Sequence, residues 1–231
     1  MTTGGTTGRR PALGGPTLIK PRMRGWLHFW SFAASVAACA SMIAVSAALV
    51  GVGEAVATAV YSVTVLGLFG ISALYHRRTW GSPRSRTVMR RLDHSMIFLF
   101  IAGSYTPVAA LAMDTATAEW VLAVVWGGAL AGVVLKTAWP YAPAWVGVPI
   151  YLALGWMAVF VLPDLLHNGG VAALVLLLAG GALYTVGGIM YALRWPDPWP
   201  NTFGYHEFFH AATVLAAICH HVAIWLALFP G

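Results

Sequence analysis

Seven apolar runs, at about residues 26–50, 55–75, 94–113, 119–138, 144–163, 170–193 and 205–229, leave this 231-residue chain nowhere to place a water-soluble domain. Each is near or above the roughly 20 residues that a helix needs to cross a bilayer. Connections this short require each span to satisfy its own backbone hydrogen bonds, which in lipid means helix. The sequence therefore predicts an all-α integral membrane protein, a seven-transmembrane-helix bundle over residues 26–231, behind a basic tail at 1–25. Composition agrees: 59% of residues are hydrophobic and 9% charged, against about 25% charged in a soluble domain.

The tail, rich in Gly, Thr, Pro and basic residues, lacks the short apolar core of a cleavable signal and reads as a flexible cytoplasmic segment, with span 1 retained as a signal anchor. Cys39 and Cys219 fall inside apolar spans, where free cysteine behaves as a small apolar residue.

All 13 basic residues fall on alternate connections. Arg9, Arg10, Lys20, Arg22 and Arg24 precede span 1; Arg77, Arg78, Arg84, Arg86, Arg90 and Arg91 lie between spans 2 and 3; Lys136 ends span 4 and Arg194 ends span 6. The opposite connections carry Glu54, Asp114, Glu119 and Asp164. By the positive-inside rule the N-terminus is cytoplasmic and the C-terminus outside, as expected of a multi-pass protein of a bacterial-type plasma membrane. The net charge of +6 is thus a set of topology signals and contacts to anionic lipid headgroups, and no nucleic-acid partner is expected.

With orientation set, polar residues can be placed by depth. His76 closes span 2, Asp93 opens span 3, and His206 and His210 lie in the first turns of span 7, all at the cytoplasmic end. His206 and His210, four apart, share a helix face, and Ser72 stands one turn before His76. Three histidines and a water would complete an open zinc site, with Asp93 beside that water to orient it or accept its proton. The alternative is a set of interfacial histidines with rings half in water, but ionisable residues converging from three helices favour function. His220 and His221, about 15 Å further along span 7, are out of reach. His28 and His167 read as interfacial or solvated. His94 turns about 100° from Asp93 and is at most a supporting partner.

"HEFFH" at 206–210 has the form of a zinc-protease motif. A third ligand downstream is missing: Thr213 and Ala216 stand where an extended motif has Gly and His, and no Asp or Glu follows Glu207. Glu207 is left with three roles: base, partner to a histidine ring N–H, or partner to an interfacial arginine, the last two together ranking above the first. Pro107 is expected to kink span 3, with Ser104 or Thr106 meeting the freed backbone groups.

"KPRMRGWLHFW", "SALYH" at 72–76, "RRLDHSMIFLFIAGSYTP" at 90–107, "YALRWPDPWP" at 191–200 and "FGYHEFFH" at 203–210 together resemble a bacterial hemolysin III protein. These belong to the progestin and adipoQ receptor family, which includes the adiponectin receptors and is related to the alkaline ceramidases. The resemblance covers about residues 20–229. It implies a seven-helix bundle with zinc near the cytoplasmic face, His76, His206 and His210 as its ligands, and Asp93 at the opening of span 3. The receptor branch typically has Gln where this chain has Glu207, so the carboxylate is not expected to be indispensable. Alkaline ceramidases hydrolyse lipid amides. The expected function is therefore a zinc-dependent membrane hydrolase acting on a lipid amide or ester, with membrane lipids as substrate, Asp93 deprotonating water and Ser72 bonding near the metal or oxyanion. The alternatives are a zinc-stabilised sensor or receptor without turnover, and a cytolytic protein. For the last the sequence offers little, because span 7 between His210 and His220 reads "AATVLAAIC".

Overall fold

The computed structural model describes residues 20–229. It is all-helical, with α1 at Trp26–Val45, α2 at Val52–Arg77, α3 at Pro83–Ala112, α4 at Thr115–Ala138, α5 at Ala144–Gly155, α6 at Leu162–Leu193 and α7 at Tyr205–Leu228. Among the described residues six helical stretches are long and apolar enough to cross a membrane, the longest being Ala144–Leu193. That stretch doubles back at Gly170, where φ is 80° and ψ is 164°. Val148 and Leu152 then face Gly188, and the Trp156 indole donates to Thr185 Oγ1 at 2.9 Å.

Helix boundaries depart from the apolar runs where capping chemistry overrides hydropathy. Helix α3 begins at Pro83, eleven residues ahead of its apolar run, because Ser82 Oγ accepts the Ser85 N–H at 3.1 Å and proline fits a first helical turn. Asp114 likewise accepts the Thr117 N–H at 3.0 Å and starts α4 at Thr115 rather than 119. The expected span at 144–163 is α-helix only to Gly155 and continues as 3₁₀-helix over Trp156–Val161. There the Tyr105 hydroxyl of α3 donates to Gly155 O at 2.6 Å and accepts the Ala158 N–H at 2.7 Å. Backbone groups released by the change of helix type are thus met inside the protein, as lipid requires.

Helix α3 is the hub, packing on α2 and α4 and also touching α5, α6 and α7, while α1 lies against α2 and α7. It runs helical through buried Pro107. The expected hydroxyl caps bond elsewhere: Ser104 to Ile101 O at 2.8 Å and Thr106 to Ala102 O at 3.0 Å, whereas a proline at 107 disturbs the carbonyl of Gly103. Large apolar side chains such as Val63, Val134 and Phe160 stand exposed on the outer faces, as expected where the solvent is lipid.

The tail expected over residues 1–25 falls mostly outside the described residues. Its last part is not free: the Arg22 N–H donates to Asn201 O at 3.0 Å and the Met23 N–H to Thr202 O at 3.1 Å, tying this segment to the α6–α7 connection.

Candidate metal centre and cavity

The last turn of α2, the early turns of α3 and the first turns of α7 meet at the arginine-rich end of the bundle. Two local devices place them. Gly25, at φ 80°, crosses so close to α2 that a Cβ there would lie 2.9 Å from His76 Cβ. Glu207, fully buried, holds the start of α7: Oε2 accepts the Gly204 N–H at 2.9 Å, and Oε1 takes the Arg24 guanidinium. A carboxylate in the first turn also suits the positive end of the helix. Of the three roles open to Glu207, the structure shows the arginine partner. Arg77 adds a further clasp, its guanidinium 3.4 Å above the Trp26 ring.

His76, His206 and His210 come together as expected, with ligand atoms all within 4.8 Å of one another. His76 Nε2 and His206 Nε2 are 3.3 Å apart. Two nitrogens each about 2.0–2.1 Å from one tetrahedral ion would be about 3.3 Å apart, so the pair has the spacing of co-ligands. An all-imidazole donor set suits zinc and other transition metals, and three protein ligands leave a coordination position open. The residues present therefore fit a metal ion.

Asp93 Oδ2 lies 3.8 Å from His76 Nε2. It also stands 3.3 Å from His94 Nδ1, which reaches the Arg90 carbonyl at 3.0 Å. With acceptors on both sides, that nitrogen carries the proton, and His94 orients the Asp93 carboxylate despite its 100° offset in sequence. Ser72 is buried beside Asp93.

The sequence reading missed His28. Instead of lying in the interface it is 2% exposed, its ring parallel to that of His210 with centroids 3.8 Å apart, and neither ring nitrogen has a hydrogen-bond partner. His167 is exposed, as expected.

The cluster lines one end of a cavity of about 110 Å³. From His76, Asp93 and His206 it extends between α3, α5, α6 and α7 past Tyr105 and Tyr184 to His220. His220 is remote from the metal-binding group, as expected, yet shares its cavity; its Nε2 lies 3.3 Å from the Leu177 carbonyl. The intervening lining is mainly apolar, including Leu68, Ile97, Phe100 and Ile101.

An all-helical bundle with a partly buried histidine triad at one end of a mainly apolar cavity defines a class of multi-pass membrane protein with a candidate metal centre. The pattern described as "Haemolysin-III related" matches residues 17–221, and the chain belongs to that family. It is 32% identical to "Hemolysin-3" of Bacillus cereus over 136 residues, 59% of this chain and 61% of that protein. It is 28% identical to the "Hemolysin-3 homolog" of Bacillus subtilis over 158 residues, 68% and 70% of the two chains. With "Monocyte to macrophage differentiation factor" of Homo sapiens it shares 25% identity over 179 residues, 76% of this chain and 72% of the other. The chain thus spans about six-tenths of the B. cereus relative, and the wider family that the motifs resemble is supported on both its bacterial and animal sides.

Proposed function

We propose that this protein is a zinc-dependent hydrolase of the bacterial plasma membrane, cleaving an amide or ester bond of a membrane lipid and so contributing to membrane homeostasis. Counting the doubled-back stretch 144–193 as two crossings gives seven spans. With the arginine-rich end inside, the N-terminus and the histidine cluster are cytoplasmic and the C-terminus is outside.

The observation that carries this reading is the juxtaposition of Asp93 with the histidine triad at one end of a mainly apolar cavity. His76, His206 and His210 would hold zinc, which supplies Lewis acidity toward a carbonyl and lowers the pKa of water toward neutrality. Asp93 takes the proton of the attacking water, its carboxylate held in place by His94. Ser72, buried one turn from His76, offers a hydroxyl to the oxygen on which charge develops. Leu68, Ile97 and Phe100 keep bulk water from the reacting bond and fit an acyl chain.

The test is incubation of the purified, zinc-loaded protein with a panel of lipid amides and esters, with mass spectrometry of the products. Release of a free fatty acid by the wild type and its loss in folded Asp93→Asn support the reading. Equal release by both proteins would sink it. A sensor without turnover would yield no product, while zinc removal would still lower its melting temperature; lysis, suggested by the names of the bacterial relatives, would appear as leakage from liposomes.

A further inference from the structure

A second cavity, of about 50 Å³, adjoins the one that holds the histidine cluster. Along α3 the first is lined from Asp93 to Tyr105 and the second from Ser104 to Met113. The two share one ring of residues: Ser104 and Tyr105 of α3, Gly155 and Trp156 where α5 gives way to 3₁₀-helix, Gly181 of α6 and His220 of α7. Past this ring the lining side chains are all apolar, among them Val108, Leu165, Leu174 and Leu178. Two spaces that abut on one ring make that ring a neck.

The neck is narrow without offering polar groups. Trp156 is stapled there by its indole N–H, which donates to Thr185 Oγ1 at 2.9 Å. Gly181, one turn before Thr185 on the same face of α6, leaves the indole room: a Cβ there would lie 3.7 Å from its ring, an ordinary contact. The other polar side chains of the ring are also paired inside the protein. Ser104 donates to Ile101 O, Tyr105 bonds Gly155 O and the Ala158 N–H, and His220 Nε2 lies 3.3 Å from Leu177 O. With those partners taken, a polar occupant would pay for its own desolvation, and a hydrocarbon chain is the occupant that fits. Length agrees: at 1.5 Å per residue, Ser104 stands about 16 Å and Met113 about 30 Å along α3 from Asp93. A chain from one leaflet fills about half of the roughly 30 Å hydrocarbon core. With its carbonyl at the histidine cluster, a long chain therefore reaches the neck, whereas a short one ends in the first cavity.

We propose that the neck between Gly181 and Trp156 selects the acyl-chain length of the bound lipid, admitting the end of a long chain into the second cavity. A methylene gains little by exchanging lipid for another apolar medium, so the selection comes from fit. An empty apolar space forfeits dispersion contacts, and a chain long enough to enter it restores them. The position of the carbonyl, and with it the naming of long-chain lipids as substrate, rests on the hydrolase reading; the selection itself is read by binding.

The experiment uses the full chain in lipid nanodiscs, with octanoyl and stearoyl ethanolamide as competing probes and native mass spectrometry to count what is bound. Both probes partition into the same bilayer, so the ratio of bound stearoyl to octanoyl amide, compared between variant and wild type, reads the protein alone. Gly181→Leu narrows the neck and Leu174→Trp fills the second cavity from its far side. In whichever of them folds, that ratio is expected to fall about tenfold through loss of the stearoyl amide, while His76→Ala keeps the wild-type ratio. An unchanged ratio in the folded variants, or equal loss of both amides in Gly181→Leu, overturns the proposal. Chain-length preference in a wild type that hydrolyses neither amide would sink the hydrolase reading alone. Hydrolysis of both amides with no preference in binding would sink this inference alone.

Discussion

His28 lies flat against His210, the two imidazole planes 5° apart and their centroids separated by 3.8 Å. A metal ion lies close to the plane of the imidazole that binds it, so a ring stacked in parallel could not share an ion held by His210. Its place is behind the ligand, fixing the ring, in the way supporting groups around metal sites commonly act.

His28→Ala should therefore weaken metal retention about tenfold, the lower end for loss of a supporting partner, while His28→Phe, which keeps a flat ring, should retain metal. Competition against a zinc chelator measures both. Equal loss in the two variants would show that a ring nitrogen, rather than the stacked face, is what the site uses.

The Arg24 and Glu207 pair makes the opposite prediction to the protease reading of "HEFFH". Glu207 is spent on Arg24 and on the Gly204 N–H, and it does not line the cavity. Breaking a fully buried pair costs about 3–5 kcal/mol. Because Arg24 is 21% exposed and keeps some water, Glu207→Gln should cost about 2 kcal/mol, with metal content unchanged. Denaturation in detergent alongside metal analysis checks this. Full loss of turnover at unchanged stability would restore Glu207 as a base.

How much was legible follows from what a sequence encodes. Depth in the membrane is carried by hydropathy and by the arginines, so His76, Asp93, His206 and His210 could be brought to one level. His28, at the opening of span 1, read instead as interfacial or solvated, because a mostly apolar α1 does not say which face is inward, and the stacked pair was lost. Hydropathy also marks what lipid touches rather than where a helix starts. The turns from Pro83 to Asp93 carry four arginines and were hidden, although "SP" at 82–83 is a start signal. Lys136 read as a topology residue because burial against Gly147 depends on the packing of α4 on α5.

Gly25 should tolerate no side chain. Its φ of 80° is strained for any L-residue, and the Cβ of alanine would be 2.9 Å from His76 Cβ, with neither atom at the end of a flexible chain. Gly25→Ala is expected to cost about 1–3 kcal/mol and to lower metal retention by shifting His76. Gly53, in the first turn of α2 with nothing within 4 Å, is the control, and Gly53→Ala should be neutral or slightly stabilising. Melting temperatures of the two variants in one detergent decide the matter.

The histidine triad itself yields the sharpest contrast. His76 comes from α2 and His206 and His210 from α7, so an ion bound by all three ties two helices far apart in sequence, and its binding energy becomes folding energy. Chelation should lower the melting temperature of the wild type, and zinc should restore it. His76→Ala removes the only ligand from α2, so it should abolish that zinc-dependent shift even if residual metal clings to the α7 pair. Asp93→Asn should keep both the metal and the shift, since Asp93 faces the site without being one of the three ligands. Metal analysis and melting curves on these proteins, with and without chelator, give the comparison; a melting temperature indifferent to chelation in the wild type would mean that the three histidines hold no structural ion.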